Sequence, residues 1–219
     1  VRTQISVDQK AGLAPAEQRL TLHNVSWETY DKLLEAFGEH RAVRFTYDQG
    51  VLEFMVPLEA HENPSDLIGV FIRTLAVESG LNIKGLASTT LRRKELVRGA
   101  EPDKCYYIKN EPLVRGRTVD LEQDPPPDLV AEIDITHTDI DKNALYAELG
   151  IPEFWRFDGQ ELRIYQLQEG QHQEVSLSPT FPWTPKEIFY NFLEQCKSMG
   201  EAQAQRQLGA WVQSLAVQK

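Results

Sequence analysis

Pro126-Pro127-Asp128-Leu129-Val130-Ala131-Glu132-Ile133-Asp134-Ile135, followed by Asp139-Ile140-Asp141-Lys142, is the stretch on which the fold turns. From Leu129 onward the apolar residues fall on both alternating sets, the pattern of a strand covered on two faces and therefore central in its sheet. Asp124-Pro125-Pro126-Pro127-Asp128 is too stiff and too poor in backbone donors for regular structure, so it reads as a rigid entry into a strand over 129–135. Residues 139–149 have helical spacing closed by Gly150, and Phe154 to Phe157 is extended again. Strand, helix and strand follow one another, which defines an α/β or α+β core. Within that central strand Glu132 and Asp134 must share one face. Two unpaired carboxylates there would be costly, so a cation, a Lys or Arg partner, or an exposed strand end is required.

Working outward, Ser26 is placed to cap a helix carrying Trp27, Tyr30, Leu33, Leu34 and Phe37 and stopped by Gly38. Val43, Phe45 and Tyr47 alternate with polar residues, Asp48-Gln49-Gly50 supplies a turn, and 51–56 returns as the second arm of a hairpin. Asn63-Pro64 reads as the first turn of a helix with Leu67, Ile68, Phe71, Leu75 and Ala76 on one face, ending near Gly80. Short strands are expected over 83–86, 89–92 and 104–109, and a hairpin partner for 154–157 over 162–167 across Asp158-Gly159. Thr184-Pro185-Lys186-Glu187 has the form of a capping box with Pro at the first helical position. The resulting division is a flexible arm over 1–20, a single domain over 21–198, and a C-terminal amphipathic helix over 199–219 bearing Leu208, Trp211, Val212 and Leu215. That helix suits core packing or a homodimer interface equally.

The chain has 219 residues and is 41% hydrophobic, enough for one sizeable core. It holds no run of eighteen apolar residues and opens on polar residues, so a soluble, cytoplasmic protein without a membrane span is expected. Cys105 and Cys196 lack the spacing of a zinc site and read as buried thiols. A net charge of -10 opposes binding of a polyanion, but it is unevenly distributed. Between Arg92 and Arg117 eight basic residues face four acidic ones, whereas from Thr118 to Glu161 twelve acidic residues face only Lys142 and Arg156.

Glu101-Pro102-Asp103 before one strand, Glu132 and Asp134 on the next, and Lys142 at the start of a helix supply residue types for one kind of chemistry. Hard divalent cations such as Mg2+ take carboxylate oxygens and retain several waters. Such a cation lowers the pKa of a bound water and polarises a phosphodiester, while an ammonium group offsets charge that grows in the transition state. The bland alternative is that Glu132 and Asp134 sit at a solvent-facing sheet end and pair with Lys142 or Arg156.

These runs resemble the PD-(D/E)xK nuclease superfamily. The segment from Asp141 through Tyr146 to Gly150-Ile151-Pro152-Glu153-Phe154-Trp155 is more closely similar to a bacterial restriction-endonuclease-like family long catalogued as a domain of unknown function. The resemblance extends from about Trp27 to Leu167 and includes Ala60-His61-Glu62. It implies a restriction-endonuclease-like core, with a central mixed sheet flanked by helices, and Mg2+- or Mn2+-dependent hydrolysis of DNA. By the same resemblance Asp103 and Glu132 match the metal-binding carboxylates, and Glu62 matches an acidic residue of the first core helix. One departure stands out: Asp134 occupies the position of the superfamily lysine, so that role passes to Lys142. Two other functions are compatible with the acidic charge and this departure, namely an idle binding module of the same fold and a hydrolase of small phosphate esters.

Overall fold

The computed structural model describes residues 2–4, 16–38, 42–87 and 89–216. Their strands form two sheets. The first is antiparallel and combines β1 (Arg2–Gln4), β2 (Glu17–His23), β3 (Arg44–Asp48), β4 (Val51–Pro57), β6 (Leu91–Arg93) and β7 (Arg98–Ala100) in the order β1-β2-β4-β3-β7-β6. The second contains β5 (Lys84–Gly85), β8 (Lys104–Tyr107), β9 (Leu129–Ile133), β10 (Glu153–Phe157), β11 (Leu162–Gln168) and β12 (Gln171–Val175) in the order β12-β11-β10-β9-β8-β5. It is mixed, because β9 and β10 run parallel while the other pairs are antiparallel. Helix α4 (Lys142–Glu148) makes the parallel crossover.

Each layer forms for a reason visible in its residues. Helix α1 (Trp27–Phe37), capped by the Ser26 hydroxyl, lays Trp27 and Tyr30 on the first sheet, where Tyr30 stacks on Tyr47 at 4.7 Å between ring centroids. Helix α2 (Glu59–Glu78) covers one face of the second sheet with Leu67, Ile68, Phe71 and Leu75 against Leu129, Ala131, Ile133 and Trp155. Helices α5 (Lys186–Met199) and α6 (Glu201–Ala216) join that layer through Phe189, Phe192, Leu208 and Val212. On the opposite face Cys105, Val130 and Phe154 meet Leu145, Tyr146 and Leu149 of α4 and its end. Helix α3 (Glu111–Val114) is a single turn beyond β8.

The central strand is buried at every position and flanked on both sides, as its pattern predicts. Both cysteines are buried. Other expectations need correction. The central mixed sheet is joined by a second, antiparallel one that includes the strand 17–23, which the sequence reading did not foresee. Within the stretch 1–20, Arg2–Gln4 and Glu17–Leu20 are paired strand; 5–15 lies outside the described residues. Helix α2 begins at Glu59, not at Asn63, since the Leu58 carbonyl accepts from the amides of His61 and Glu62, leaving Pro64 inside the helix. Pro185 is itself the cap of α5, with no side-chain capping bond from Thr184, because the proline sits one position outside the first helical residue. The apolar face of α6 packs against α2 and α5.

His172 on β12 is stacked on Phe154 at 5.7 Å, with its Nε2 at 2.9 Å from the Ile151 carbonyl. Burial lowers its pKa, so the folded chain binds fewer protons here than the unfolded one. The corresponding stability is complete above the unfolded histidine value of about 6.5 and is lost as pH falls through the depressed folded value. His172→Gln is therefore expected to flatten the loss of melting temperature on acidification from about pH 6.5 down to the depressed folded value. An unchanged slope would show that this ring does not control the acid limb.

Candidate functional site

Strands β8 and β9 pair Lys104 with Ala131 and Cys105 with Val130. Asp103 directly precedes Lys104 and Glu132 directly follows Ala131, which brings both to the same end of the β8–β9 pair. Glu132 lies toward α4, where Tyr146 and Lys142 reach it. Asp103 and Glu132 are each 2% exposed. The amide of Ile133 donates to Asp103 Oδ2 at 2.7 Å, fixing the turn before β8 against the end of β9.

Lys142 comes to the same place from the first turn of α4. Asp141 caps that turn by accepting from the amides of Asn143 and Ala144. The Lys142 ammonium lies 3.1 Å from Glu132 Oε2 and 2.7 Å from Asp134 Oδ1. One turn later Tyr146 donates its hydroxyl to Glu132 Oε1. Burial pulls the pKa of Lys142 down, but Asp134 and Glu132 outweigh it and the net shift is upward. Lys142 is thus a fixed cation at neutral pH. Asp134 is pushed up by burial, yet Lys142, Arg19 and Arg156 hold it below the usual aspartate value. The bland alternative was half right: Asp134 pairs with both Lys142 and Arg156, but in the interior and not at an exposed sheet end.

Several members of the site went unnamed in the sequence. Arg19 on β2 donates to Glu17 Oε1 at 2.8 Å, to Asp134 Oδ1 at 3.2 Å and to Glu53, so the first sheet reaches across to the end of β9. Arg44, the first residue of β3, donates to Glu62 Oε1 at 3.0 Å and turns its other arm onto Asp103 Oδ1. Glu62 thereby joins the site through Arg44 while its own side chain stays 49% exposed. His61 is fully buried, with Nε2 3.3 Å from Asp103 Oδ2 and 3.5 Å from Glu17 Oε2. Burial lowers its pKa, so the ring is held neutral. Among the described residues neither its ring nitrogens nor Glu17 Oε2 has a hydrogen-bond partner. A cleft of about 630 Å³ opens beside these groups, lined by Arg44, Glu62, Thr89, Thr90 and Glu101 among others.

The period-two alternation in Glu17-Gln18-Arg19-Leu20-Thr21-Leu22 was the available signal for β2. Its polar set turns inward, against the usual rule, because the interior at this point is ionic. Glu17, Glu53, Asp103, Glu132 and Asp134 are all buried, and the equally buried cations are Arg19 and Lys142. Even with Arg44 and Arg156 reaching in, negative charge is in excess. That surplus and the unpartnered Glu17 oxygen fit a divalent cation. Among the described residues no three His, Cys, Asp or Glu side chains form a ready cage. An ion held here would have one or two carboxylate ligands and retained waters, the habit of Mg2+ and its relatives.

A mixed sheet between helices fits the restriction-endonuclease-like class. The chain belongs to the Uma2 family: the model described as "Uma2: Putative restriction endonuclease" matches residues 27–193. That span contains Arg44, His61, Glu62, Asp103, Glu132 and Lys142, whereas Glu17 and Arg19 precede it. No curated protein matches the chain. No helix among the described residues is long and apolar enough to cross a membrane.

Proposed function

We propose that this protein is an Mg2+- or Mn2+-dependent endonuclease hydrolysing phosphodiester bonds in DNA. The observation that supports the reading is that Asp103 and Glu132 lie at the same end of the β8–β9 pair, with the Lys142 ammonium 3.1 Å from Glu132. Asp103 and Glu132 would hold the ion through carboxylate oxygens. The ion, when bound, supplies Lewis-acid polarisation of a phosphoryl oxygen and a lowered pKa for an attacking water. Lys142, locked in its charged form by Asp134 and Glu132, offsets negative charge growing on the phosphoryl group and does not act as a base. Tyr146 orients the Glu132 carboxylate through its hydroxyl. Glu62 stands on the cleft wall and acts through Arg44.

The test compares wild type with Asp103→Asn on supercoiled plasmid, single-stranded DNA and RNA over Mg2+ and Mn2+. Wild-type cleavage of DNA that drops by about 10²-fold or more in the variant is expected. Equal cleavage by both proteins would assign the activity to a contaminant. Calorimetric Mn2+ binding without cleavage would instead identify an idle binding module. The cleft supports a second reading, hydrolysis of a small phosphate diester, since its volume is typical of small-ligand pockets and Glu62 and Glu101 line it. Faster turnover of bis(p-nitrophenyl) phosphate than of DNA would favour that substrate.

A further inference from the structure

Arg44 stands between the cleft and the buried Asp103. Arg44 is 15% exposed, lines the cleft, and bridges Glu62 on the wall to Asp103 behind it. It is the sole cation among the described residues lining this cleft. Its other described neighbours there include two carboxylates, Glu62 and Glu101, which by themselves would repel an anionic substrate. Its partners are also unequal. Asp103 is buried and belongs to the surplus of interior carboxylates, so a cation is needed on it at all times; Glu62 is half in water and can be left alone at little cost.

From this geometry we infer that Arg44 is the substrate-phosphate anchor, and that it neutralises Asp103 only until a divalent ion arrives. Its guanidinium and the ion compete for the same carboxylate. When the ion takes Asp103, the planar fork is released toward the cleft, where it matches the paired oxygens of a phosphodiester and draws that group up to the ion. Metal binding and substrate binding are thereby coupled through one side chain: among the described residues lining the cleft, the metal-free site offers no cation free for a phosphate, and the metal-loaded site offers Arg44. Glu62 becomes the residue that steers the released guanidinium along the cleft wall. The inference rests on the nuclease reading and assigns Arg44 a role outside metal coordination.

Mn2+ titration by calorimetry, with wild type, Arg44→Ala and Arg44→Lys, tests it, together with fluorescence anisotropy of a short labelled oligonucleotide in Ca2+. Loss of the competing guanidinium should tighten Mn2+ binding by about tenfold in Arg44→Ala, and oligonucleotide affinity should fall by about tenfold. Arg44→Lys should recover part of the oligonucleotide affinity but not the forked contact. Thermal melting adds a readout free of substrate: Mn2+ should raise the melting temperature of Arg44→Ala by more than that of wild type. Weaker or unchanged Mn2+ binding in Arg44→Ala, with wild type binding normally, would overturn the anchor while leaving the nuclease reading intact. A wild-type protein that binds no Mn2+ would overturn both.

Discussion

Glu132→Gln is expected to cleave DNA about 10³-fold more slowly than wild type at saturating Mn2+, yet to melt no lower than wild type in the absence of metal. The two halves have one cause. The glutamine keeps the shape of the side chain and an oxygen for the Tyr146 hydroxyl, but removes one charge from an interior where Glu17, Glu53, Asp103, Glu132 and Asp134 exceed their cations. Without metal, that removal relieves repulsion, and Lys142 remains held by Asp134 at 2.7 Å. On the proposed reading, one of the two charged ligands for the metal would be gone and Asp103 would be left to hold it alone. Stability carried at the expense of activity is the usual behaviour of a site built around like charges. Cleavage kinetics and a melting curve on the same preparation decide the matter. A variant that cleaves at the wild-type rate would remove Glu132 from the reacting centre, and one that melts far below wild type would show that its charge is structural.

The sequence made the second sheet far more legible than the first. In 129–135 the unbroken apolar run, the proline-stiffened entry and the following helix all point to one central strand, and β9 occupies that place. Lys142 was legible for a related reason. Asp134 takes the position of the superfamily lysine, and a carboxylate there is tolerable only with a cation reaching the same face. The cap at Asp141 starts α4 at the point that lets Lys142 do so. Arg44 and Arg19 were not legible, because each acts across a sheet boundary. Nothing in the local pattern of Arg44-Phe45-Thr46-Tyr47 announces that the arginine meets Asp103, fifty-nine positions later. β2 is hard to read from the sequence because its inward face is polar and its apolar alternation consists of Leu20 and Leu22 alone. Those two residues pair opposite Phe54 and Leu52, and the buried side of the strand is the side with Glu17, Arg19 and Thr21.

Arg19→Met is expected to destabilise the protein by roughly 3–5 kcal/mol, the cost of leaving interior carboxylates without their cation. The methionine retains the volume of the alkyl stem, so the loss is mainly electrostatic. Arg19 joins Glu17 and Glu53 of the first sheet to Asp134 at the end of β9, and also donates to the Thr136 hydroxyl at 3.1 Å. After substitution Asp134 keeps Lys142 and Arg156, while Glu53 keeps only the Thr138 hydroxyl and Glu17 keeps the amide and hydroxyl of Thr136. Glu17 and Glu53 are then buried without an arginine. Urea unfolding measures the deficit. Arg19→Lys should recover the charge but not the fork that spans three carboxylates, giving an intermediate midpoint. A deficit below about 1 kcal/mol for Arg19→Met, the range of ordinary surface changes, would show that the two sheets are held by their apolar contacts and that the ionic layer between them contributes little to folding.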